Sequence, residues 1–176
     1  MRSTSDTQNQ SSKQPQQPSS LIAAGLLIGM GFAGFFDSIV LHQILQWHHM
    51  LTSVRPITNI GNLEVNTLWD GFFNAVVYAM TLAGVGFLWR AGQQGNVPGS
   101  EKSFGGSLLL GLGGFNLIEG LIDHHLLGIH HVKSGPNQLA WDLGFLLTGA
   151  SLAVVGWIVL QSGQRPITTP EVDEYK

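Results

Sequence analysis

The sequence contains no cysteine, which excludes disulfide bonds and thiolate metal ligands. Charged residues are also scarce, at 11% of the chain. Lysine and arginine avoid the apolar stretches, and only Arg90 lies at the end of one. Any metal site must therefore be built from imidazole and carboxylate groups. The net charge of -3 gives no reason to expect a nucleic-acid partner.

Long apolar runs dominate the rest of the chain. Each is close to the ~20 residues that cross a bilayer as a helix. The runs extend over about Leu21–Met50, Trp69–Arg90, Ser103–His131 and Trp141–Gln164. We therefore predict an all-α fold, a bundle of four transmembrane helices embedded in a lipid bilayer. The membrane domain covers residues 21–164, with a loop at 51–68.

The two ends of the chain are polar. Residues 1–20 consist mostly of Ser, Gln, Asn and Pro, which is typical of a disordered tail. Residues 165–176 form a second, C-terminal tail. Residues 1–20 do not resemble a cleaved secretory signal, because no basic group directly precedes a short apolar core.

All seven histidines lie within the two copies of one repeated pattern, acid-x4-His-x5-His-His, which itself accounts for six of them. Residue numbers rise by 82 between the copies (37 to 119), except that His125 aligns with a glutamine. The aligned pairs are Asp37 and Glu119, His42 and His124, His48 and His130, and His49 and His131. A second match pairs Trp69-Asp70 with Trp141-Asp142.

These matches predict two duplicated helical hairpins. Repeat one covers about 21–90 and repeat two about 103–164. Parallel repeats are related by a pseudo-two-fold axis along the membrane normal. On a helical wheel, the acids and histidines of segments one and three fall on one arc of each helix. The symmetry should bring these two arcs face to face.

Five carboxylates lie in or beside the apolar runs without a nearby lysine or arginine: Asp37, Asp70, Glu119, Asp123 and Asp142. A charged carboxylate in lipid costs about 3 kcal/mol or more. Each must therefore be protonated, hydrated or paired with a cation. Asp70 and Asp142 also fit as helix N-caps, and Asp37 and Glu119 could be protonated acids hydrogen-bonded across the bundle.

Imidazole and carboxylate groups together indicate a transition-metal site for Zn, Cu, Fe or Mn. We predict that its ligands come from the five carboxylates and from His42, His48, His49, His124, His125, His130 and His131. An alternative for His48, His49, His130 and His131 is a position at the water interface. Copper(I) alone is less favoured, because Met50 is the one soft donor nearby.

Basic residues predict the orientation. One side of the membrane would carry Arg2, Lys13, Arg90, Lys102, Arg165 and Lys176, and the other would carry Arg55 and Lys133. The positive-inside rule then places both termini in the cytoplasm and the histidines near the outer face.

The motifs Asp37 to His49, Trp69-Asp70-Gly71 and Glu119 to His131 resemble an uncharacterised family of predicted four-helix bacterial membrane proteins, a domain-of-unknown-function family. The resemblance covers about residues 21–160. It implies a bacterial cytoplasmic membrane protein and a loose association with the assembly of copper-dependent respiratory oxidases. It brings no assigned reaction.

Four functions fit these observations. The first is metal handling or insertion, including help to a respiratory-oxidase assembly partner. The second is redox chemistry, with His42 and His124 as axial haem ligands or with a di-metal site; Gly31, Gly34 and Gly113 would make room for a flat cofactor. The third is a proton or cation conductor that uses Asp37, Glu119 and Asp123. The fourth is a purely structural assembly factor.

Two questions stay open at this point. Gly25-x3-Gly29 offers a small-residue contact for a homo-oligomer. The sequence does not decide whether any reaction is catalysed.

Overall fold

The computed structural model describes residues 19–94 and 100–164 as an all-helical protein. The helices are α1 (Ser19–Phe36), α2 (Ile60–Gly92), α3 (Ser100–Glu119) and α4 (Gln138–Gly163). Two π-helical segments, Asp37–Ile44 and Gly120–Leu126, continue α1 and α3 directly. In the described ranges, four helical segments are long and apolar enough to cross a membrane. The prediction of a four-transmembrane-helix bundle is confirmed. Apart from Ser19 and Ser20, the predicted tails lie outside the described residues.

Helices α1 and α3 pack against each other at the centre of the bundle, while α2 contacts α1 and α4 contacts α3. Gly25 lies against Ser107, and Gly29 lies against Leu108 and Leu112, so α1 and α3 run in the same direction and their π-helical segments lie at the same end of the central pair. Large apolar side chains on α2 and α4, such as Val76, Leu147 and Ile158, are exposed, as expected for surfaces that face lipid.

Glycine permits the close packing of the central helices. A Cβ atom on Gly29 would lie 2.1 Å from the carbonyl oxygen of Leu108, and one on Gly25 would lie 2.0 Å from Ser107 Oγ. Both glycines therefore face α3 of the same chain. They are not a free surface for the predicted homo-oligomer.

The same packing removes the space predicted for a flat cofactor. A Cβ atom on Gly31 would lie 2.1 Å from Thr81 Oγ1, and one on Gly34 would lie 2.6 Å from Val77. A Cβ atom on Gly113 would lie 2.4 Å from the Gly149 carbonyl oxygen. Neighbouring helices fill these positions.

The helix ends differ from the sequence-based boundaries. Segments one and three end at Ile44 and Leu126 rather than at Met50 and His131. Their last turns are π-helical, with the amide of Leu45 donating to the Val40 carbonyl at 2.8 Å and that of Leu127 to Ile122 at 2.7 Å. The helical wheel failed there because it assumed 3.6 residues per turn throughout.

Helix α2 begins at Ile60, so the predicted loop at 51–68 is too long. Asn59 caps the helix, its side chain accepting a hydrogen bond from the Asn62 amide at 2.9 Å. Asp70 therefore lies inside α2 rather than at its N-cap. Asp142 likewise lies within α4, where Asn137 occupies the N-cap position.

Candidate metal centre

The first π-helical segment places the acid and the first histidine of its motif on the same side. In an α-helix, residues five apart diverge by about 140°, whereas a π-helix pairs residue i with i+5. Asp37 Oδ2 accordingly lies 2.9 Å from His42 Nε2, and Asp37 Oδ1 lies 3.6 Å from His48 Nε2. Glu119 Oε1 lies 3.5 Å from His130 Nε2.

Four buried imidazoles form one cluster, which we call the histidine cluster: His42, His48, His124 and His130. The ring centres of His42 and His48 are 4.4 Å apart, those of His48 and His130 4.8 Å, and those of His124 and His130 4.9 Å. The Nε2 atoms of all four rings are buried and make no hydrogen bond among the described residues, although Asp37 Oδ2 lies 2.9 Å from His42 Nε2 as an ion-pair contact. Because buried polar atoms are rarely left unpaired, this cluster is suited to a bound ligand.

In two of these rings the other nitrogen, Nδ1, forms a hydrogen bond to the backbone. His48 Nδ1 donates to the Val132 carbonyl at 2.8 Å, and His130 Nδ1 donates to the Met50 carbonyl at 3.2 Å. A carbonyl oxygen can only accept, so Nδ1 carries the hydrogen and Nε2 keeps its lone pair. Metal-binding histidines are commonly held this way. Both contacts join the loop after one π-helical segment to the loop after the other.

Asp70 and Asp142 orient histidines in the same manner. Asp70 lies 2.9 Å from His42 Nδ1 and 2.5 Å from His49 Nδ1, and it accepts from the Met50 amide at 2.9 Å. Their role as direct metal ligands stays a prediction.

Asp142 repeats this arrangement in the second half of the chain. It lies 3.5 Å from His124 Nδ1 and 2.7 Å from His131 Nδ1, and it accepts from the Val132 amide at 3.0 Å. His49 and His131 hydrogen-bond to these aspartates through Nδ1, and their role as metal ligands stays a prediction.

Two groups of three ligand atoms could each hold a metal ion. The first is His42, His48 and His130, and the second is Glu119, His124 and His130. Within each group the ligand atoms lie within 4.8 Å of one another. Asp37 Oδ2 and Glu119 Oε2 are buried nearby without hydrogen-bond partners. These donors suit first-row transition metals.

His130 is available as a ligand over the whole neutral range. Burial lowers the pKa of its imidazole to about 3, and the neighbouring His48 and His124 rings act in the same direction. Its ring is therefore neutral at pH 7, and a metal would not have to displace a proton from Nε2.

Two predicted site residues lie apart from the ligand groups. His125 is exposed, and its Nδ1 donates to the Gly120 carbonyl at 2.7 Å. Asp123 is half-buried and belongs to neither group of three. His125 is the histidine that has no counterpart in the other copy of the motif.

Sequence reasoning missed Asn66, which is fully buried in α2. Its side chain accepts from the Leu51 amide at 3.0 Å and donates to the Arg55 carbonyl at 2.8 Å. Asn66 thereby fastens the loop that carries His48 and His49. Asn66 precedes Asp70 by about one helical turn, so the two lie on the same face of α2. This spacing was the available sequence signal for Asn66.

Lys133 also joins the two halves. Its ammonium lies 4.6 Å from the centre of the Trp47 ring and 5.5 Å from that of Trp141. Such contacts are worth about 0.5–2 kcal/mol. They hold together the loops on which the histidine cluster depends.

The sequence also matches a known protein family. Residues 24–163 match the profile of a family described as predicted membrane protein (DUF2243). The chain belongs to the DUF2243 family. No curated protein and no solved structure gives a significant match.

In this DUF2243 protein, a cleft of about 630 Å³ leads to the histidine cluster. His42, His48 and His49 lie at its base, together with Asp70. Its other lining residues are neutral, namely Gln43, Gln46, Trp47, Thr52, Ile57, Leu63, Thr67, Gly71 and Asn74. Two of the four cluster histidines therefore border the cleft, although each is at most 1% exposed.

Proposed function

We propose that this chain is a transition-metal-binding membrane protein that handles metal ions at the outer face of the membrane. The observation that carries the proposal is the set of four buried Nε2 atoms that make no hydrogen bond among the described residues. In His42, His48 and His130 the other ring nitrogen, Nδ1, is already hydrogen-bonded to a carboxylate or carbonyl oxygen. Buried charges need partners, and the ion pairs of Asp37, Asp70, Glu119 and Asp142 in the described residues are all with histidine. A bound cation would balance the charge of these carboxylates and give the Nε2 atoms a partner.

We further propose that the site faces outward in a bacterial cytoplasmic membrane, with both termini inside. Among the described residues, Arg55 and Lys133 are on the loops that carry the histidines, and Arg90 and Lys102 are at the opposite helix ends. Arg2, Lys13, Arg165 and Lys176 lie outside the described residues. An outward site would suit delivery of metal to a respiratory enzyme during its assembly.

Haem is less well supported than a metal ion. A haem between His42 and His124 would need an open slot, but the rings of His48 and His130 fill that region, 4.4 Å and 4.9 Å from them. The conductor hypothesis also loses support, because Asp37 is paired with two histidines rather than standing in an open path.

A di-metal redox site is the second candidate, favoured by the presence of two ligand groups. Both groups contain His130, so they do not provide three separate ligands for each of two ions. Binding of a single ion needs only one of these groups, whereas a di-metal site would need ligands from outside both groups.

The direct test is metal retention. Wild-type protein, the double variant His42→Ala/His124→Ala and the single variant His125→Ala would each be incubated with Zn²⁺, Cu²⁺ or Mn²⁺, freed of unbound ion, and analysed for metal. Wild type and His125→Ala should retain ion, whereas the double variant should retain none. If the wild type keeps no ion, or the double variant keeps as much as the wild type, the proposal is wrong.

A further inference from the structure

The two ligand groups overlap in a way that determines how many ions the cluster holds. We call the group of His42, His48 and His130 the cleft-side position, and the group of Glu119, His124 and His130 the far position. We propose that one ion occupies these two positions alternately, entering through the cleft and passing from the cleft-side position to the far position at His130. This inference rests on the proposed metal-binding function and extends it.

The shared histidine makes the positions mutually exclusive. His130 Nδ1 donates to the Met50 carbonyl at 3.2 Å, so only Nε2 offers a lone pair to a metal. A neutral imidazole binds one ion through that atom. Two ions at once would leave one of them with only two protein ligands from its group. One ion per chain is the expected occupancy.

The two positions differ in access. The cleft is lined by His42 and His48, whereas Glu119, His124 and His130 are not among its lining residues. An ion from outside therefore meets the cleft-side position first. The neutral amides and hydroxyls of Gln46, Thr67 and Asn74 along the cleft can replace water around a partly hydrated cation.

The two positions also differ in their donors. The cleft-side position has three imidazoles, with Asp37 Oδ2 2.9 Å from His42 Nε2 as a fourth candidate. The far position has two imidazoles and the carboxylate of Glu119. Glutamate is one methylene longer than the aspartate that occupies the matching place in the first motif. The ion thus moves from a nitrogen-rich ligand set to one that contains a carboxylate from α3.

Movement between the positions needs only a short displacement. The ligand atoms in each group lie within 4.8 Å of one another, and the two groups have His130 in common. Bonds to zinc-like ions are ~2.0–2.2 Å long. An ion can therefore remain bound to His130 while it exchanges the other ligands one at a time.

The test uses Co²⁺ alone as the probe, with purified full-length protein. Co²⁺ titration followed by optical absorption gives the stoichiometry, and the outer-shell X-ray scattering of imidazole rings gives the number of histidine ligands. The wild type should bind one Co²⁺ per chain. Glu119→Gln should keep one ion with more histidine ligands, and His42→Ala/His48→Ala should keep one ion with fewer.

His130→Ala should lose at least 100-fold in Co²⁺ affinity, because both positions need that ring. Two Co²⁺ ions per wild-type chain would overturn the proposal that one ion alternates between the two positions. Wild-type Co²⁺ affinity in His130→Ala would overturn it as well. A wild type that binds no Co²⁺ would instead overturn the proposed metal function itself. Thermal unfolding of each variant identifies any that fail to fold.

The path through the cleft has a separate readout. Thr67→Phe should narrow the cleft and slow Co²⁺ loading at least tenfold, with unchanged final occupancy. Val76→Phe is the matched control, because Val76 is exposed on the same helix and is not a cleft residue. Equal loading rates in the two variants would refute entry through the cleft.

Discussion

The rings of His48 and His130 lie 4.8 Å apart and within 4° of parallel. Each is held by a backbone carbonyl from the other half of the chain, His48 by Val132 and His130 by Met50. The two rings can therefore keep their places only while the loops after the two π-helical segments stay together. The histidine cluster therefore forms only when the two halves of the chain pack together.

Removing the carboxylate behind His42 should weaken metal binding without removing a ligand. In Asp70→Asn, the amide no longer attracts the Nδ1 hydrogens of His42 and His49 as a charged carboxylate does. Loss of such supporting contacts typically costs 10–100-fold in affinity. Metal titration measures this, with Glu64→Gln as the control because Glu64 is exposed on the same helix. Unchanged affinity in Asp70→Asn would mean that His42 is not a ligand.

Asp142→Asn should have a similar effect on the far position. Asp142 contacts His131 and the Val132 amide, and lies 3.5 Å from His124. The expected sign is again weaker binding, with a smaller loss than in Asp70→Asn because the contact to His124 is longer. Side-by-side titration of the two variants checks the order, and the reverse order would contradict it.

Chelation should destabilise the metal-loaded protein. A ligand present at 100 times its Kd stabilises the folded state by about 2.7 kcal/mol. The thermal midpoint of wild-type protein should therefore fall when a chelator is added. His130→Ala should show no such response. A chelator effect of equal size in both proteins would show that the metal binds elsewhere.

Neighbouring glycines of α3 provide a matched test of the helix packing. Gly113→Ala should lower the free energy of unfolding by about 1–3 kcal/mol through overpacking, because its Cβ would lie 2.5 Å from the Ala153 amide nitrogen. Gly114→Ala should be neutral or stabilising by up to about 1 kcal/mol, since nothing lies within 4 Å. Denaturation in detergent compares the two, and equal losses would contradict the packing.

The absence of cysteine makes the orientation easy to test. Ser134→Cys places a thiol on the exposed loop after the histidine motif, and Gln94→Cys places one at the opposite end of α2. A membrane-impermeant maleimide added to whole cells should label the first and not the second. Labelling of Gln94→Cys alone would reverse the proposed orientation.

The sequence was sufficient for the four spans because apolar length is a direct requirement of the bilayer. Histidine and carboxylate are costly in lipid and stand out there, so the sequence also drew attention to His42, His48, His124 and His130, which the structure buries together. The duplication of the hairpins stays a prediction, although Asp70 and Asp142 make corresponding contacts.

The local geometry could not be predicted in the same way. The change to π-helix at Asp37 and Gly120 replaces the α-helical period on which the wheel relied. The i, i+5 spacing of Asp37 and His42 was the sequence signal for this change. That spacing brings two side chains together only in a π-helix, so it could not be recognised while an α-helix was assumed. The carbonyl contacts of Met50 and Val132 depend on backbone groups, which side-chain patterns do not reveal.

Metal content of the protein purified from its own membrane, without added ions, tests the central claim most directly. We expect one transition-metal ion per chain in the wild type, and none in protein carrying His130→Ala. A wild-type protein that is folded, stable and free of transition metal would contradict the account.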